Sequence, residues 1–276
     1  MDKLIKNSIA SIIVFINLPL INIAIADPFV TIWRTERTNE VITIPITGTG
    51  YNYAIDWNND GEFEQTDITS EVSHKYTEIG DHTITIQGDF PRIYINNGTE
   101  KHKIISVEQW GTGKWISMAS AFYGAKYLVV NAADAPDLST VTDMSQMFRG
   151  ATAFNQNINH WDVSNVNDMS EMFFMAEKFN QPLNNWDVSN VVNMRSMFFE
   201  AFAFNQAIDR WNVINVTNMR EMFKGAVLFN QPLDNWEIRN VENMCGMLDD
   251  ATAFNQDIAG WNVEPCKKKG DGGIKF

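Results

Sequence analysis

A step of 25 residues constrains this chain more than any other feature. Trp161, Trp186, Trp211, Trp236 and Trp261 keep that spacing, as do Met144, Met169, Met194, Met219 and Met244. Phe154, Phe179, Phe204, Phe229 and Phe254 keep it too, each followed by Asn-Gln. A divergent copy, Met118-Ala119-Ser120-Ala121-Phe122-Tyr123-Gly124-Ala125, lies 26 residues before Met144 and its neighbours. Self-similarity at a fixed period marks units that cannot bury their apolar columns alone and must stack on one another. A repeat region over 118–263 is therefore expected to be a solenoid. A second methionine column, Met147, Met172, Met197, Met222 and Met247, keeps the same step, so ten of the 13 methionines and five of the nine tryptophans stand in columns, which makes them core and not a cofactor box.

Within a unit, Met169, Met172, Phe173 and Ala176 fall at i, i+3, i+4 and i+7, predicting one face of a short helix. The residue before the first Met is always Asp or Asn (Asp143, Asp168, Asn193, Asn218, Asn243), an N-cap type. Gln146, Glu171 and Glu221 follow three positions later, as in a capping box. Trp186-Asp187-Val188 alternates as a short strand. The columns of Asn155, Asn180, Asn205, Asn230 and Asn255, and of Asn165, Asn190, Asn215 and Asn240, read as a scaffold. An inward amide carries donors and an acceptor, so each column could bond the backbone of adjacent coils as a ladder. With Trp and Val of each strand inward, Asp162, Asp187, Asn212, Glu237 and Asn262 point outward, as do Ser164, Ser189, Ile214 and Arg239. Stacked outward residues form the extended face of a curved solenoid. The polar, partly acidic stripe Asp162, Ser164, Asp187, Ser189, Asn212, Glu237 and Arg239 is the expected binding site, the alternative being a solvated face.

The first half follows another period. Alternating runs at Phe29–Arg34, Val41–Ile46, Tyr51–Trp57, His82–Gln87 and Arg92–Ile95, punctuated by Gly and Pro, predict a small antiparallel sandwich over 27–100. Tyr76 ahead of Gly80-Asp81-His82 is laid out like a tyrosine corner. Residues 101–117 read as a junction packed by Trp110 and Trp115. The expected fold class is α+β: an antiparallel β-sandwich, then a leucine-rich-repeat-like α/β solenoid with one short helix and one short strand per coil.

Residues 1–26 have a basic start, an apolar run from Ile9 to Ile25 and an Ala24-Ile25-Ala26 end. That is the pattern of a secretory signal peptide cut near Ala26, an uncleaved anchor being the other reading. No later stretch is long and apolar enough to span a membrane. The net charge is −13, and losing Lys3, Lys6 and Asp2 makes it one unit more negative. Such a balance argues against nucleic acid, which needs a basic stripe to meet phosphates.

Asp56-Trp57-Asn58-Asn59-Asp60-Gly61 matches the opening of a calcium loop, with Glu62, Glu64 and Asp67 at loop positions 7, 9 and 12. Asp56, Asn58, Asp60, Glu62 and Asp67 are the candidate ligands; an ordinary Asp-Gly turn is the alternative. No cofactor is required, and calcium is the one cation the residues suggest. No metalloprotease, nucleophile-elbow or phosphate-loop motif occurs, so a non-enzymatic chain is expected. Cys245 and Cys266 could pair in an oxidising compartment.

Val141-Thr142-Asp143-Met144-Ser145-Gln146-Met147-Phe148, then Phe154-Asn155-Gln156 and Trp161-Asp162-Val163-Ser164-Asn165-Val166, resemble the BspA-type bacterial surface-protein repeat, a leucine-rich-repeat relative. Ala133-Asp134-Ala135-Pro136-Asp137-Leu138-Ser139 resembles the lead-in of that family, and the first half is similar to a PKD-like sandwich. The resemblance covers about residues 27–263. It implies an exported or surface-displayed interaction protein, adhesion-like, meeting a protein or glycan surface, and carries over no catalytic residue. A structural spacer or envelope-matrix role, and a hydrolase with an unrecognised site, are the alternatives. After Val263 the pattern gives way to a basic irregular tail, 264–276, that leaves the last coil without a capping unit, unless the chain is truncated or the tail or a partner covers it.

Overall fold

The structure is a computed structural model, and it describes residues 26–261. Among the described residues eight strands occur: β1 Phe29–Thr35, β2 Glu40–Ile44, β3 Asn52–Asp56, β4 Gln65–Ile68, β5 Val72–Tyr76, β6 Gly80–Asp89, β7 Ile104–Gln109 and β8 Val129–Val130. One sheet runs β4-β3-β6-β1-β7-β8 and a second pairs β2 with β5. All pairs are antiparallel except β7 with β8. Alternation places Phe29, Trp33, Ile42, Ile44, Tyr53, Ile55, Ile84 and Ile86 in the core. The Tyr76 hydroxyl donates to the Trp57 carbonyl at 2.6 Å and so ties β5 to the end of β3. The stretch 101–117 carries β7, which pairs with β1 inside the large sheet.

The α/β solenoid is overturned. Among the described residues there is no α-helix, the only helical turn is the 3₁₀ segment Thr99–His102, and the two sheets do not form a solenoid. The repeats nevertheless stack at their 25-residue step, built from turns. Gln146, Glu171, Ser196 and Glu221 have φ of 58°, 58°, 52° and 54°, and Gly150, Met175, Glu200 and Gly225 have φ of 67°, 54°, 50° and 70°. A right-handed helix cannot pass through left-handed residues. Instead alternate N–H groups leave the coil. Those of Met144, Gln146, Phe148 and Gly150 donate to the carbonyls of Asp168, Ser170, Met172 and Phe174 in the next coil. Those of Met147, Arg149 and Ala151 close turns on Met144, Gln146 and Phe148. Turns closed three residues back give the same apolar i, i+3, i+4 spacing as a helix. The Asp/Asn column has the matching role: Asp143, Asp168, Asn193, Asn218 and Asn243 each accept the N–H two residues on, at 2.7–3.1 Å. The expected strand at 161–163 and its counterparts is also absent; the single parallel bridges of the stack lie elsewhere, at the Asp/Asn column, such as Asp143 with Asp168.

The interior is two phenylalanine columns. Phe148, Phe173, Phe198 and Phe223 stack at 5.5–5.8 Å between ring centres, and each lies about 4 Å from Phe154, Phe179, Phe204 or Phe229 of its own coil. Both Met columns are fully buried from Met144 to Met222. Arg92–Ile95, expected as a strand, is a loop that seals the first coil. The N–H groups of Ile95, Asn96 and Asn97 donate to the carbonyls of Ala121, Ser120 and Tyr123, and the Arg92 guanidinium donates to Ala119.

Candidate binding face

The turn residues flanking the tryptophan column present one side of the stack. Asp162, Asp187 and Asn212 are exposed, and their Oδ1 atoms accept the N–H groups of Ser164, Ser189 and Ile214 at 3.1, 3.0 and 3.3 Å. Such bonds close Asx turns. Hydrogen bonds from the Ser189 hydroxyl and N–H hold the Asp187 carboxyl below its ordinary value. Ser164 and Ser189 turn their carbonyls to the amides of Asn190 and Asn215, both at 2.7 Å. Glu237 and Arg239 cap no backbone; they lie 3.6 Å apart, 69% and 72% exposed. Asn262 lies outside the described residues.

Asn212 and Glu237 share an open groove of about 530 Å³ with Asp209, Arg210, Ile214 and Asn235. The repeat pattern did not single out Asp209, Arg210 or Asn235, although they stand in columns that change between copies: Asn159, Asn184, Asp209, and His160, Asn185, Arg210, Asn235. Variation inside an otherwise uniform repeat was the available signal. Towards the first coil the same edge is amide-rich. Asn159 Nδ2 donates to Asn184 Oδ1 at 3.1 Å, and Asn159 Oδ1 accepts the Asn185 N–H at 2.9 Å. Fixed donors and acceptors of this kind, with one guanidinium and two carboxylates, suit a hydroxyl-bearing or peptide surface.

The asparagine columns point outward or lie half-buried. Asn155, Asn180, Asn205 and Asn230 accept through Oδ1 the backbone N–H of Asn180, Asn205, Asn230 and Asn255 at 2.9–3.0 Å. Gln181, Gln206, Gln231 and Gln256 donate to the same oxygens. The Asn165, Asn190, Asn215 and Asn240 amides donate to carbonyls 26 residues earlier.

In the Asp56–Asp67 loop, the buried Asp56 carboxylate accepts the N–H groups of Asn58, Asn59 and Gly61 at 3.1, 2.6 and 2.9 Å. Asp60 accepts Glu62 N–H and the Asn58 amide. Glu64 accepts the Trp57 N–H, and Asp67, at φ 55°, accepts the Thr66 hydroxyl. Among the described residues no group of three or more His, Cys, Asp or Glu side chains is placed to hold a metal ion. Cys245 is disulfide-bonded, and the chain's other cysteine, Cys266, lies outside the described residues, as do residues 1–25 of the 1–26 segment expected to be a signal peptide.

The fold defines a class: a β-sheet domain sealing one end of a stack of 25-residue turn-built coils. The chain belongs to the family described as Mycoplasma protein of unknown function, DUF285, whose model matches residues 116–226 and 184–271. Those matches cover the stack. No curated protein and no solved structure matches the chain. No helix among the described residues is long and apolar enough to cross a membrane.

Proposed function

We propose that the protein is an exported, non-catalytic binding module that meets a protein or glycan surface through the exposed turns beside its tryptophan column. The observation that carries this reading is the open groove where Arg210, Asn212, Asn235 and Glu237 converge on a backbone fixed by coil-to-coil hydrogen bonds. Polar groups on rigid elements give specificity at little ordering cost. The resemblance to surface-protein repeats and the apolar leader support the address. Calcium at the Asp56–Asp67 loop belongs to the same reading.

The test is binding to glycan and envelope-protein arrays by the intact chain and by Arg210→Ala/Glu237→Ala/Arg239→Ala, three changes that remove no backbone cap. Capture by the parent and at least about tenfold weaker capture by the variant, with an unchanged melting curve, is expected. Equal capture by both, or no capture by either, overturns the reading and favours a spacer role.

A further inference from the structure

The coils are not evenly spaced across their width. Phe174 and Phe199 lie 4.4 Å apart, neighbours in the Phe148 to Phe223 column 5.5–5.8 Å, neighbours in the Phe154 to Phe254 column 5.6–6.1 Å, and Trp236 and Trp261 6.5 Å, all within 14° of parallel. The separation of parallel rings follows that of the coils carrying them, so the coils close up on one side and splay on the other. The hydrogen bonds agree. At 144–150 and its counterparts, backbone donates directly to the backbone of the next coil. Beside the tryptophan column side chains bridge the wider gap: Asn155 Oδ1 accepts the Asn180 N–H, and the Trp186 indole donates to the Ile158 carbonyl. The stack is therefore curved. The turns beside the tryptophan column lie on its convex side, and the ribbon 144–150, 169–175, 194–200 and 219–225 on its concave side. That ribbon carries Arg149, Arg195, Arg220 and Lys224 against Glu171, Glu200 and Glu221, four cations to three carboxylates in a chain of net charge −13. The carboxylates lie lower: the Glu171 and Glu221 side chains are 10% and 22% exposed, the Arg195 and Arg220 side chains bonded to them 46% and 50%. Glu200 lies against Gly225, and the Lys224 ammonium has no partner among the described residues. One column of the ribbon reads Tyr123, Arg149, Phe174, Phe199, Lys224. The Arg149 guanidinium lies 5.1 Å from the Tyr123 ring centre and 4.0 Å from that of Phe174, whose other face is covered by Phe199. The faces of Phe174 are thus occupied, and this half-buried ring meets solvent by its edge. Met175 and Phe202 beside the column are exposed.

We propose that this concave ribbon is a second binding face, separate from the convex turns, and that its partner is an acidic peptide segment carrying an aromatic or large aliphatic side chain. Charge complementarity selects the acid. The outermost polar groups are the Arg195 and Arg220 guanidiniums and the unpaired Lys224 ammonium, and a guanidinium matches a carboxylate with two parallel hydrogen bonds. Ring geometry selects the apolar side chain. An aromatic edge is the positive end of the ring quadrupole, so it meets the face of another ring or a carboxylate oxygen. Met175 adds an unbranched, polarisable side chain that adapts to what is laid against it. The same geometry disfavours the other occupants. A sugar stacks on an aromatic face, and both faces of Phe174 are taken. A bilayer is flat and does not follow a concave surface. A second copy brings the same cations to these cations. Direct backbone bonding between coils holds the groups in place before the partner arrives, which keeps the ordering cost of binding low.

The test is fluorescence anisotropy, at low ionic strength, of a short labelled peptide of glutamates around a central phenylalanine and leucine, titrated with the full chain. Saturable binding is expected, at least about tenfold weaker in Phe202→Ser/Lys224→Glu. Neither side chain makes a coil-to-coil hydrogen bond or ion pair, so the melting curve should not change. Lys224→Arg should bind like the parent, so that a loss in the glutamate variant reports charge and not damage to the fold. The Arg210→Ala/Glu237→Ala/Arg239→Ala chain should also bind like the parent, which separates this face from the convex turns. Exchanging the central phenylalanine and leucine of the peptide for glycine should weaken binding at least about tenfold. No saturable binding by the parent overturns the proposal, as does equal binding by the double variant. Equal binding of the glycine peptide overturns it too, because it leaves only attraction to a polyanion. Tighter binding of polygalacturonate fragments or of phosphatidylglycerol vesicles than of the peptide refutes it in favour of an anionic glycan or a membrane.

Discussion

Ser196 offers a test in which the sign of the effect separates two architectures. It sits at φ 52°, is 1% exposed, and its hydroxyl has no hydrogen-bond partner among the described residues. Were 194–201 a helix, Ser196→Gly would cost about 0.5–1 kcal/mol through glycine's chain entropy. In the turn stack the left-handed backbone strains any residue with a Cβ by about 1–2 kcal/mol, and the buried orphan hydroxyl adds about 1–3 kcal/mol. Glycine removes both. It gives back about 0.5–1 kcal/mol of entropy and about 0.8 kcal/mol of lost packing. The balance is a stabilisation centred near about 2 kcal/mol, a Tm rise of roughly 4–8 °C on the scale of a domain of 150–250 residues. The same column supplies the reverse experiment. Gly246 has φ 65°, and an added Cβ would lie 2.9 Å from an Asp249 carboxylate oxygen, so Gly246→Ala should destabilise. Urea unfolding followed by tryptophan fluorescence gives both signs. A lower midpoint for Ser196→Gly refutes the left-handed reading.

Three other outcomes follow from named contacts. Asn180→Ala removes the acceptor of the Asn205 N–H and the Gln206 amide and should cost about 1–2 kcal/mol; Asn180→Asp keeps an oxygen in place and should cost less than about 0.5 kcal/mol, so equal losses for both would show that Oδ1 is not the working atom. Burial holds the His82 imidazole below its ordinary 6.5, with Asp81 opposing and His74 adding to the shift, while Tyr76 stacks on the ring at 3.7 Å. The native state therefore prefers neutral His82, and its contribution is present above pH 6.5 and lost as pH falls towards the folded value. Urea midpoints should drop between pH 7.5 and 5.5, less so in His82→Gln, and a parent midpoint that climbs on acidification contradicts the assignment. Calcium bound by the Asp56–Asp67 loop would raise the melting temperature at millimolar calcium in the parent but not in Asp60→Ala; identical curves with and without the ion dismiss it.

The stacking was legible because identical columns at one period admit few alternatives, and the runs that became β1, β2, β3 and β6 were legible from their alternation. The local conformation of the repeat was not. Met, Met, Phe and Ala at helical spacing are equally the inward residues of successive turns closed three residues back, and Glu171, Ser196 and Glu221 give no sign of a left-handed backbone. Among the repeat's residues only the glycines at 124, 150, 225 and 246 carried that information. β4 and β5 went unread because Gln65–Ile68 and Val72–Tyr76 carry too little alternating apolar surface to stand out. The groove residues Asp209, Arg210 and Asn235 were hidden by the regularity of their neighbours, since attention to the constant columns passes over the variable ones.

The uniform forward hydrogen bonding also makes the number of coils adjustable. Because each coil meets its neighbours through the same offsets, excising one whole period, 25 residues from Val166 to Asn190, joins Asn165 to Val191 and leaves every phenylalanine and asparagine column in register. What such a deletion would break is specific to one place: Glu171, bonded to Arg149, Arg195 and Gln146, is a clasp between three consecutive coils that no other copy reproduces. The molecule can therefore lengthen or shorten by whole coils without redesign of its interior, and the spacing between its sealed sheet domain and its exposed turns is a quantity that recombination within the gene can tune in single steps.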